Sequence, residues 1–335
     1  MRDLELAHLL RQAYGETVEN FNVETLPRGN SGLFKARITG SANRRRFSAV
    51  VKSRQDTAVH RALWYAEDSG IADREYHVYE LLEHLGVPHA RILARYYDSP
   101  TKWALLMEDL CERYVMLADD HRFSKVEQEI ITRTYAAIHN ASRSAPQLMT
   151  AADDFLAPEE GSQADAESAE KMWEVLRGAQ FGGHRLSRQD FSSACTVLFE
   201  GRERWKGASR VLVYNDFHPS NVALPKLGQE FAILFDWELA GTGFPHFDLQ
   251  NFWTDRDVDR ERILSVYLDH SQELDIDRFM LVMPYAELCR QLYTLWLLYL
   301  KLEADPGGKL PTWLRLHSER LFGGELAGSA EGVLL

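Results

Sequence analysis

Cysteine is scarce in this sequence, with three residues among 335. Cys111, Cys195 and Cys289 lie far apart and lack the close spacing of zinc ligands. An odd number of scattered cysteines indicates neither a disulfide framework nor a cysteine metal site. We therefore expect the protein in a reducing compartment, the cytoplasm.

Long apolar runs are missing as well. The most apolar stretch, "LYTLWLLYL" at 292–300, is too short to span a bilayer and is bounded by Arg290 and Lys301. The opening residues, "MRDLELAHLLRQAYG", carry acids within their apolar pattern, which predicts an amphipathic helix and not a signal peptide. We therefore expect no membrane partner.

Basic residues are outnumbered by acidic ones, 38 against 50, which gives a formal net charge of -12. Proteins that bind the phosphate backbone of nucleic acids carry the opposite excess, so nucleic acid is not an expected partner. The hydrophobic fraction of 45% and the charged fraction of 26% are those of an ordinary globular protein. A chain of 335 residues favours two lobes that share a cleft.

The first 110 residues predict a small sheet with one helix. Strand-like runs between residues 21 and 54, "FNVETL", "LFKARIT" and "RFSAVVKSR", are separated by the turn-rich segments "PRGNSG" and "GSANRR". Residues 57–85 show helical spacing, and Gly86 is expected to end that helix. Two more strands, "ARILARYYD" and "KWALLMEDL", follow.

The sequence after Leu110 is mostly helical in character. Its clearest amphipathic stretch is "VEQEIITRTYAAIHNAS", and a pair of strands around 211–236 interrupts the helices. We therefore predict an N-terminal lobe at 1–110 and a C-terminal lobe at 111–335. Residues 151–170 contain acids and no base, which is more typical of a solvated loop than of a binding surface.

Polar residues stand at the ends of two apolar segments, "VLVYNDFHPSNVAL" and "AILFDWELA". Four residues separate Asp216 from Asn221, and Asp236 follows the second segment. A carboxylate can accept or orient the proton of an attacking hydroxyl, while an amide oxygen and a second carboxylate suit Mg²⁺. Because Asp and Asn are common in turns at strand ends, this pattern alone is a weak indication.

Three further features precede these residues in the chain. The turn in "LPRGNSGLFKARI" comprises Gly29, Asn30, Ser31 and Gly32. The backbone N–H groups of this turn could approach phosphates. The second feature is Lys52, which ends an apolar strand. The third is Glu75 on the next helix, which can hold that lysine by an ion pair. Each feature alone has a structural explanation, as a turn, a surface lysine or a solvated acid. Together they stand in the chain order that is found in kinases.

Taken over roughly residues 21–250, these motifs resemble the aminoglycoside phosphotransferase and choline kinase superfamily, whose fold resembles that of protein kinases. The resemblance implies an α+β, bilobal, protein-kinase-like fold. The small N-terminal lobe, an antiparallel sheet plus one helix, would bind the nucleotide, and the larger, mostly helical C-terminal lobe would provide catalysis and acceptor binding.

The resemblance also implies roles for individual residues. Asp216 would be the catalytic base or hydroxyl-orienting group, Asn221 and Asp236 would bind Mg²⁺, and Lys52 with Glu75 would anchor phosphates. The backbone of the turn at 29–32 would lie close to these phosphates. In "LLMEDL", similar to the segment that links the lobes, Met107 would back the adenine pocket and the backbones of Glu108 and Leu110 would bind the base edge. His218 would organise the catalytic loop, and Asp248 would support it.

Some positions depart from the patterns of related kinases. Tyr214 and Asn215 stand before Asp216, where many relatives carry His and Gly. No Arg precedes Asp216, and Trp237 and Glu238 follow Asp236 where protein kinases have Phe and Gly. Protein substrates are therefore disfavoured, while the chemical groups needed for transfer are kept.

The expected function is that of a kinase, dependent on ATP or another NTP and on Mg²⁺, that phosphorylates a hydroxyl of a small molecule. The acidic balance favours a cationic acceptor, such as an aminoglycoside-like antibiotic, another natural product or a choline-like amine. Trp253, Tyr293, Trp296 and Tyr299 could hold a quaternary amine, although the helical spacing of the last three is more typical of a core.

Two alternatives stay open at this point. The chain could be a nucleotide-binding regulatory pseudokinase module without useful catalysis, or a non-kinase α/β protein with accidental motif matches. Against both stands a complete set of five coherent residues in order. The sequence leaves the acceptor, the choice between ATP and GTP, and the oligomeric state undetermined.

Overall fold

The computed structural model describes residues 3–15, 18–26, 33–54, 73–148, 208–226, 230–253, 258–273 and 275–287, with short stretches at 173, 177, 180–181, 184–185, 187–189 and 191–192. Its helices are α1 (Asp3–Tyr14), α2 (Arg74–Leu85), α3 (Lys125–Ser144), α4 (His246–Trp253) and α5 (Arg260–His270). Residues 276–287 are also helical. The predicted helix in "VEQEIITRTYAAIHNAS" is confirmed as α3.

The strands of the first half are β1 (Val18–Thr25), β2 (Phe34–Ala42), β3 (Arg45–Arg54), β4 (Ile92–Ser99), β5 (Lys102–Glu108) and β6 (Tyr114–Met116). Those of the second half are β7 (Gln180–Phe181), β8 (His184–Arg185), β9 (Val211–Val213), β10 (Val222–Pro225), β11 (Ile233–Leu234) and β12 (Gly241–Gly243). Short 3-10 helices span Leu110–Glu112, Pro219–Asn221 and Trp237–Leu239.

The first five strands form one antiparallel sheet in the order β1-β2-β3-β5-β4, which confirms the predicted strands. Asn43 and Arg44 join β2 to β3 with positive φ angles of 50° and 64°, as a two-residue type I′ turn requires. This turn fixes the register of the hairpin, so Lys35 lies directly opposite Lys52.

Helix α1 covers one face of this sheet and confirms the amphipathic helix predicted for the N-terminus. Leu6, Leu9 and Leu10 are buried in a cluster with residues of β2, β3, β4 and β5. Burial of each leucine side chain is worth about 1.5–3 kcal/mol. The sheet residues of this cluster are Ala36, Ile38, Ala49, Val51, Ala94, Ala104 and Leu106. Since successive side chains in a strand alternate between faces, Lys35 and Lys52 point to the opposite face.

Helix α2 ends where the sequence predicts. Gly86 adopts a left-handed conformation with φ of 66°, and its N–H donates to the carbonyl of Glu83 at 3.1 Å. A residue without Cβ enters this region at little cost, which is why glycine commonly ends helices. The structure describes the predicted helix from Arg74 onward, and the part at 57–72 lies outside the described residues.

The two strands predicted around 211–236 exist but do not pair with each other. β9 pairs with β12, whereas β11 pairs with β10, which in turn pairs with β6. All three residues of β9 and both residues of β11 are buried, so these strands show no polar alternation from which a partner could be inferred. The two predicted strands are therefore present, and each of them pairs with another strand.

The chain divides into two compact units. The first contains Met1–Ala141, Asp216–Ala240 and Arg256–Val258, and the second contains Ser142–Asn215, Gly241–Asp255 and Asp259–Leu335. The lobe junction at residue 110 stays a prediction. Among the described residues, the helices are too short or too polar to cross a membrane.

Candidate active site

Lys52 lies near the end of β3, in the first compact unit, with its side chain 4% exposed. Its ammonium group forms ion pairs with the carboxylates of Glu75 and Asp236. A buried charge is tolerated only where partners compensate for lost hydration. Burial opposes the charged form of Lys52, but Asp236 and then Glu75 outweigh it and raise the pKa well above its usual value. Lys52 is therefore a fixed cation.

Glu75 connects α2 to the segment that follows β11. One carboxylate oxygen pairs with Lys52, and the other accepts a hydrogen bond from the backbone N–H of Trp237 at 3.2 Å. Burial raises the pKa of Glu75, and Lys52 acts in the opposite direction. The predicted pairing of Lys52 with Glu75 is present, and the same glutamate also holds the chain next to Asp236.

Asp236 follows β11 in a left-handed conformation, with φ of 71° and ψ of 60°. This region is uncommon for residues other than glycine, and such outliers cluster at functional sites. One carboxylate oxygen accepts from Lys52, and the other accepts from the ammonium of Lys35 at 2.8 Å. Burial would raise the pKa of Asp236, but Lys52 and Lys35 hold it below its usual value.

Lys35 is a site residue that the sequence reasoning missed. It contacts Asp236 because the β2–β3 register places it opposite Lys52. A signal was available, since Asn43 and Arg44 are central in the predicted turn and a two-residue turn there pairs positions 35 and 52. The ion pairs described around Lys52 therefore join two cations, Lys35 and Lys52, to two carboxylates, Glu75 and Asp236.

The loop with Asp216 and Asn221 also belongs to the first unit. The side-chain amide of Asn221 donates to the carboxylate of Asp216 at 3.2 Å. The short 3-10 helix turns the chain back, and the N–H of Asn221 donates to the carbonyl of His218 at 2.9 Å. Phe217 is buried with its ring centroid 5.6 Å from that of Phe123. The loop thus brings together the two side chains that the sequence motif predicts.

A backbone ladder connects this loop to Asp236. The N–H of Phe235 donates to the carbonyl of Asn221 at 3.1 Å, and Val222 pairs with Leu234. Asn221 therefore lies beside the residue that directly precedes Asp236. Continuous contacts within one unit thus join the five residues that the motifs single out, Lys52, Glu75, Asp216, Asn221 and Asp236.

Asp248, on α4 in the second unit, supports the residues that precede Asp216. Its carboxylate accepts hydrogen bonds from the N–H of Tyr214 at 3.0 and 2.9 Å and from that of Asn215 at 2.9 Å. Asn215 has a positive φ of 64°. A buried carboxylate that binds consecutive N–H groups can hold such an unfavourable backbone. This is the supporting role expected of Asp248.

The segment after β5 contains the residues predicted to bind the base. Met107 is buried. The N–H of Glu108 donates to the carbonyl of Arg91 at 2.9 Å, and its carboxylate pairs with Arg113. The N–H of Glu108 is thus already paired. Leu110 begins a 3-10 helix, whose first N–H groups have no acceptor within the helix. Base binding by Glu108 and Leu110 stays a prediction.

Other predicted residues cannot be placed at the site. The turn Gly29, Asn30, Ser31 and Gly32, the acidic segment 151–170, and Tyr293, Trp296 and Tyr299 lie outside the described residues. Trp253 is described, and the guanidinium of Arg260 lies 4.8 Å from the centroid of its ring. This aromatic ring is therefore already in contact with a cation.

The donor set at Asp236 and Asn221 fits Mg²⁺ that enters together with phosphates. Within the described part of the chain, no group of three or more His, Cys, Asp or Glu side chains could hold a metal ion. Mg²⁺ usually binds one or two carboxylates plus substrate phosphates, without a dedicated protein cage. Since the amide nitrogen of Asn221 faces Asp216, its side-chain oxygen is the atom suited to a cation.

Comparison with protein families gives a match over most of the chain. A model described as the phosphotransferase enzyme family matches residues 26–280, which is most of the chain. The match spans all five residues joined at the candidate site. Comparison with curated protein sequences finds no match.

Solved structures of phosphotransferases share the fold over nearly the whole chain. A candidate aminoglycoside phosphotransferase from Ralstonia eutropha has a TM-score of 0.64 and 17% identity, with 97% of this chain and 98% of the other covered. For a choline kinase from Streptococcus pneumoniae the TM-score is 0.57, the identity 16% and the coverage 98% and 100%.

A third structure, a spectinomycin phosphotransferase in complex with ADP and spectinomycin, has a TM-score of 0.54 and 12% identity, with coverage of 99% of each chain. At these identities the likeness shows the fold alone. It confirms the predicted α+β fold of the kinase-like class.

Proposed function

This chain belongs to the phosphotransferase enzyme family, and we propose that it is an ATP- and Mg²⁺-dependent kinase that transfers the γ-phosphoryl group to a hydroxyl of a small molecule. The observation that carries the proposal is the burial of Lys52 between Glu75 and Asp236, with Asp236 connected to the Asp216 loop through one backbone ladder. In this proposal the arrangement would supply a phosphate-binding cation, a metal ligand and a proton acceptor in one unit.

Lys52 and Glu75 would orient the nucleotide phosphates. Phosphoryl transfer asks little covalent chemistry of the protein, so positioning and neutralisation of charge supply most of the catalysis. The two carboxylates around Lys52 fix its ammonium group before any phosphate binds, which lowers the cost of reorganisation. Bound Mg²⁺, held by Asp236 and Asn221, would neutralise further phosphate charge.

Asp216 would accept or orient the proton of the acceptor hydroxyl. Its carboxylate is partly accessible, and Asn221 restricts its position through a hydrogen bond at 3.2 Å. A base must lie within hydrogen-bond reach of the proton that it abstracts. The backbone before Asp216 is held by Asp248, so the carboxylate is mounted on a constrained loop.

The acceptor in this proposal is a cationic, amino-bearing molecule. The net charge of -12 favours the approach of cations. Two of the structures with the same fold are a choline kinase and a spectinomycin phosphotransferase. We also propose a cytoplasmic location, because the nucleotide is there and the three scattered cysteines suit a reducing compartment.

A screen of acceptors tests the proposal. The full chain is incubated with ATP, Mg²⁺ and pairs of hydroxyl compounds that differ in one amino group, and phosphorylated products are detected by mass spectrometry. We expect a phosphate ester of an amine-bearing member, and we expect no such product when EDTA is present from the start of the reaction. Transfer confined to neutral or acidic alcohols would overturn the acceptor class. Nucleotide binding without any transfer would favour the regulatory alternative.

A further inference from the structure

Lys35 differs from Lys52 in how firmly it is held. Lys52 pairs with two carboxylates and has a side chain 4% exposed, whereas Lys35 pairs with Asp236 and has a side chain 21% exposed. The two ammonium groups contact different oxygens of the Asp236 carboxylate. Lys52 is therefore the fixed partner of Asp236. The ammonium group of Lys35 is less buried, so it can move away from Asp236 more easily than that of Lys52.

The oxygen of Asp236 that accepts from Lys35 is the one that a divalent cation can reach with less disruption. The other oxygen is held by Lys52, which is itself fixed by Glu75. A metal ion and an ammonium group bound to one carboxylate oxygen repel each other. Occupation of this oxygen by one cation therefore weakens binding of the other.

We propose that Lys35 and the divalent cation compete for Asp236, so that Lys35 is a positioning residue that sets the metal affinity of the site. This inference rests on the proposed function, since it takes Asp236 as a metal ligand. Lys35 keeps Asp236 paired until the metal binds. Its released ammonium group, on the same sheet face as Lys52, is then available to a nucleotide phosphate.

Metal binding in the absence of nucleotide tests the competition directly. Mn²⁺ is titrated into the full chain, and free Mn²⁺ is measured by electron paramagnetic resonance at fixed ionic strength. Because an acidic protein also binds Mn²⁺ elsewhere on its surface, the quantity to compare is the part of the Mn²⁺ binding that is lost in Asp236→Asn. We expect Lys35→Met to strengthen this component on the order of tenfold, within the usual range of coupling between two ligands.

Two matched variants control for charge alone. Lys35→Arg keeps the cation and should leave Mn²⁺ affinity close to that of the unaltered chain. Arg37→Met removes a cation two residues along β2 that pairs with Asp109 and Glu24, and it should also leave Mn²⁺ affinity unchanged. An equal gain in Arg37→Met would show a general effect of charge and would overturn the competition.

The remaining outcomes separate this inference from the proposed function. Unchanged or weaker Mn²⁺ binding in Lys35→Met, with a component that still depends on Asp236, overturns the competition and leaves the metal ligand in place. If Asp236→Asn removes no Mn²⁺ binding, either from the unaltered chain or from Lys35→Met, both the competition and the assignment of Asp236 as a metal ligand are wrong. Phosphoryl transfer in the acceptor screen is measured independently of either result.

Discussion

Two groups of cations and carboxylates occupy the same face of the five-stranded sheet and differ in burial. The Lys52 cluster consists of Lys35, Lys52, Glu75 and Asp236. The Arg37 cluster consists of Arg37, Ser48, Asp109 and Glu24. Lys35 and Arg37 are two residues apart on β2, so alternation puts both on one face. Lys52 is almost completely buried, whereas the side chain of Arg37 is 29% exposed.

The difference lies in what surrounds each cation. Asp109 accepts from two neutral donors, the hydroxyl of Ser48 at 2.6 Å and the N–H of Cys111 at 3.1 Å, and these bonds together with Arg37 lower its pKa against the effect of burial. Asp236 instead depends on two lysines for its compensation. A carboxylate that also has neutral donors depends less on its cation than one compensated by cations alone. Buried charges that perturb one another's pKa values are more frequent at functional centres.

The largest predicted effect is that of Lys52→Met on stability. Removal of the buried cation leaves Glu75 and Asp236 close together without their shared partner. Removal of one partner of a buried ion pair typically costs about 3–5 kcal/mol. Chemical denaturation followed by circular dichroism should show a loss of this size in the free energy of unfolding. A loss below about 1 kcal/mol, as for surface ion pairs, would mean that Lys52 is not held as described.

A smaller effect is expected from pH. The pKa of Asp236 is depressed in the folded chain below the ordinary 3.8, so its stabilising contribution is complete above that value and declines as the pH falls below it. One proton taken up on unfolding gives a slope of at most about 1.4 kcal/mol per pH unit.

The measurement compares unfolding free energies of the unaltered chain and Asp236→Asn between about pH 5 and pH 3. The unaltered chain should lose more stability over this interval, because only it has the Asp236 carboxylate to protonate on unfolding. Parallel curves for the two proteins would show that the lysines do not depress the pKa of Asp236.

The smallest effect is expected at the Arg37 cluster. Arg37→Met removes a partly exposed cation whose partner Asp109 keeps its bonds to Ser48 and Cys111. Such pairs contribute about 0–1 kcal/mol, so the free energy of unfolding should change by no more than that. A loss equal to that of Lys52→Met would remove the distinction between the two clusters.

The sequence predicts the chemically demanding part of the site better than its surroundings. Lys52, Glu75 and Asp236 could be predicted because a charge at the end of an apolar segment is costly without a partner, and the chain offers partners in the order of a known family. Lys35 was missed because its position depends on hairpin register. Only the turn at Asn43 and Arg44, with positive φ at both residues, determines that register.

Strand pairing in the second half shows the other limit of the sequence. The polar residues after β9 and β11 mark both strand ends correctly. The partners of these strands, β12 and β10, are three and four residues long. Strands so short and so buried carry no alternation, and their pairing is decided by tertiary packing.

The most direct test of the account is the catalytic effect of Asp216→Ala, measured with an acceptor identified by the screen. Asp216 contacts Asn221, whereas the ion pairs described around Lys52 are formed by Glu75 and Asp236. The variant should therefore bind a non-hydrolysable ATP analogue with unchanged affinity by calorimetry. Turnover should fall on the order of 10²–10⁴-fold, the usual contribution of a positioned base. Turnover that stays within about threefold of the unaltered chain would contradict the role of Asp216 and, with it, the assignment of this site to phosphoryl transfer.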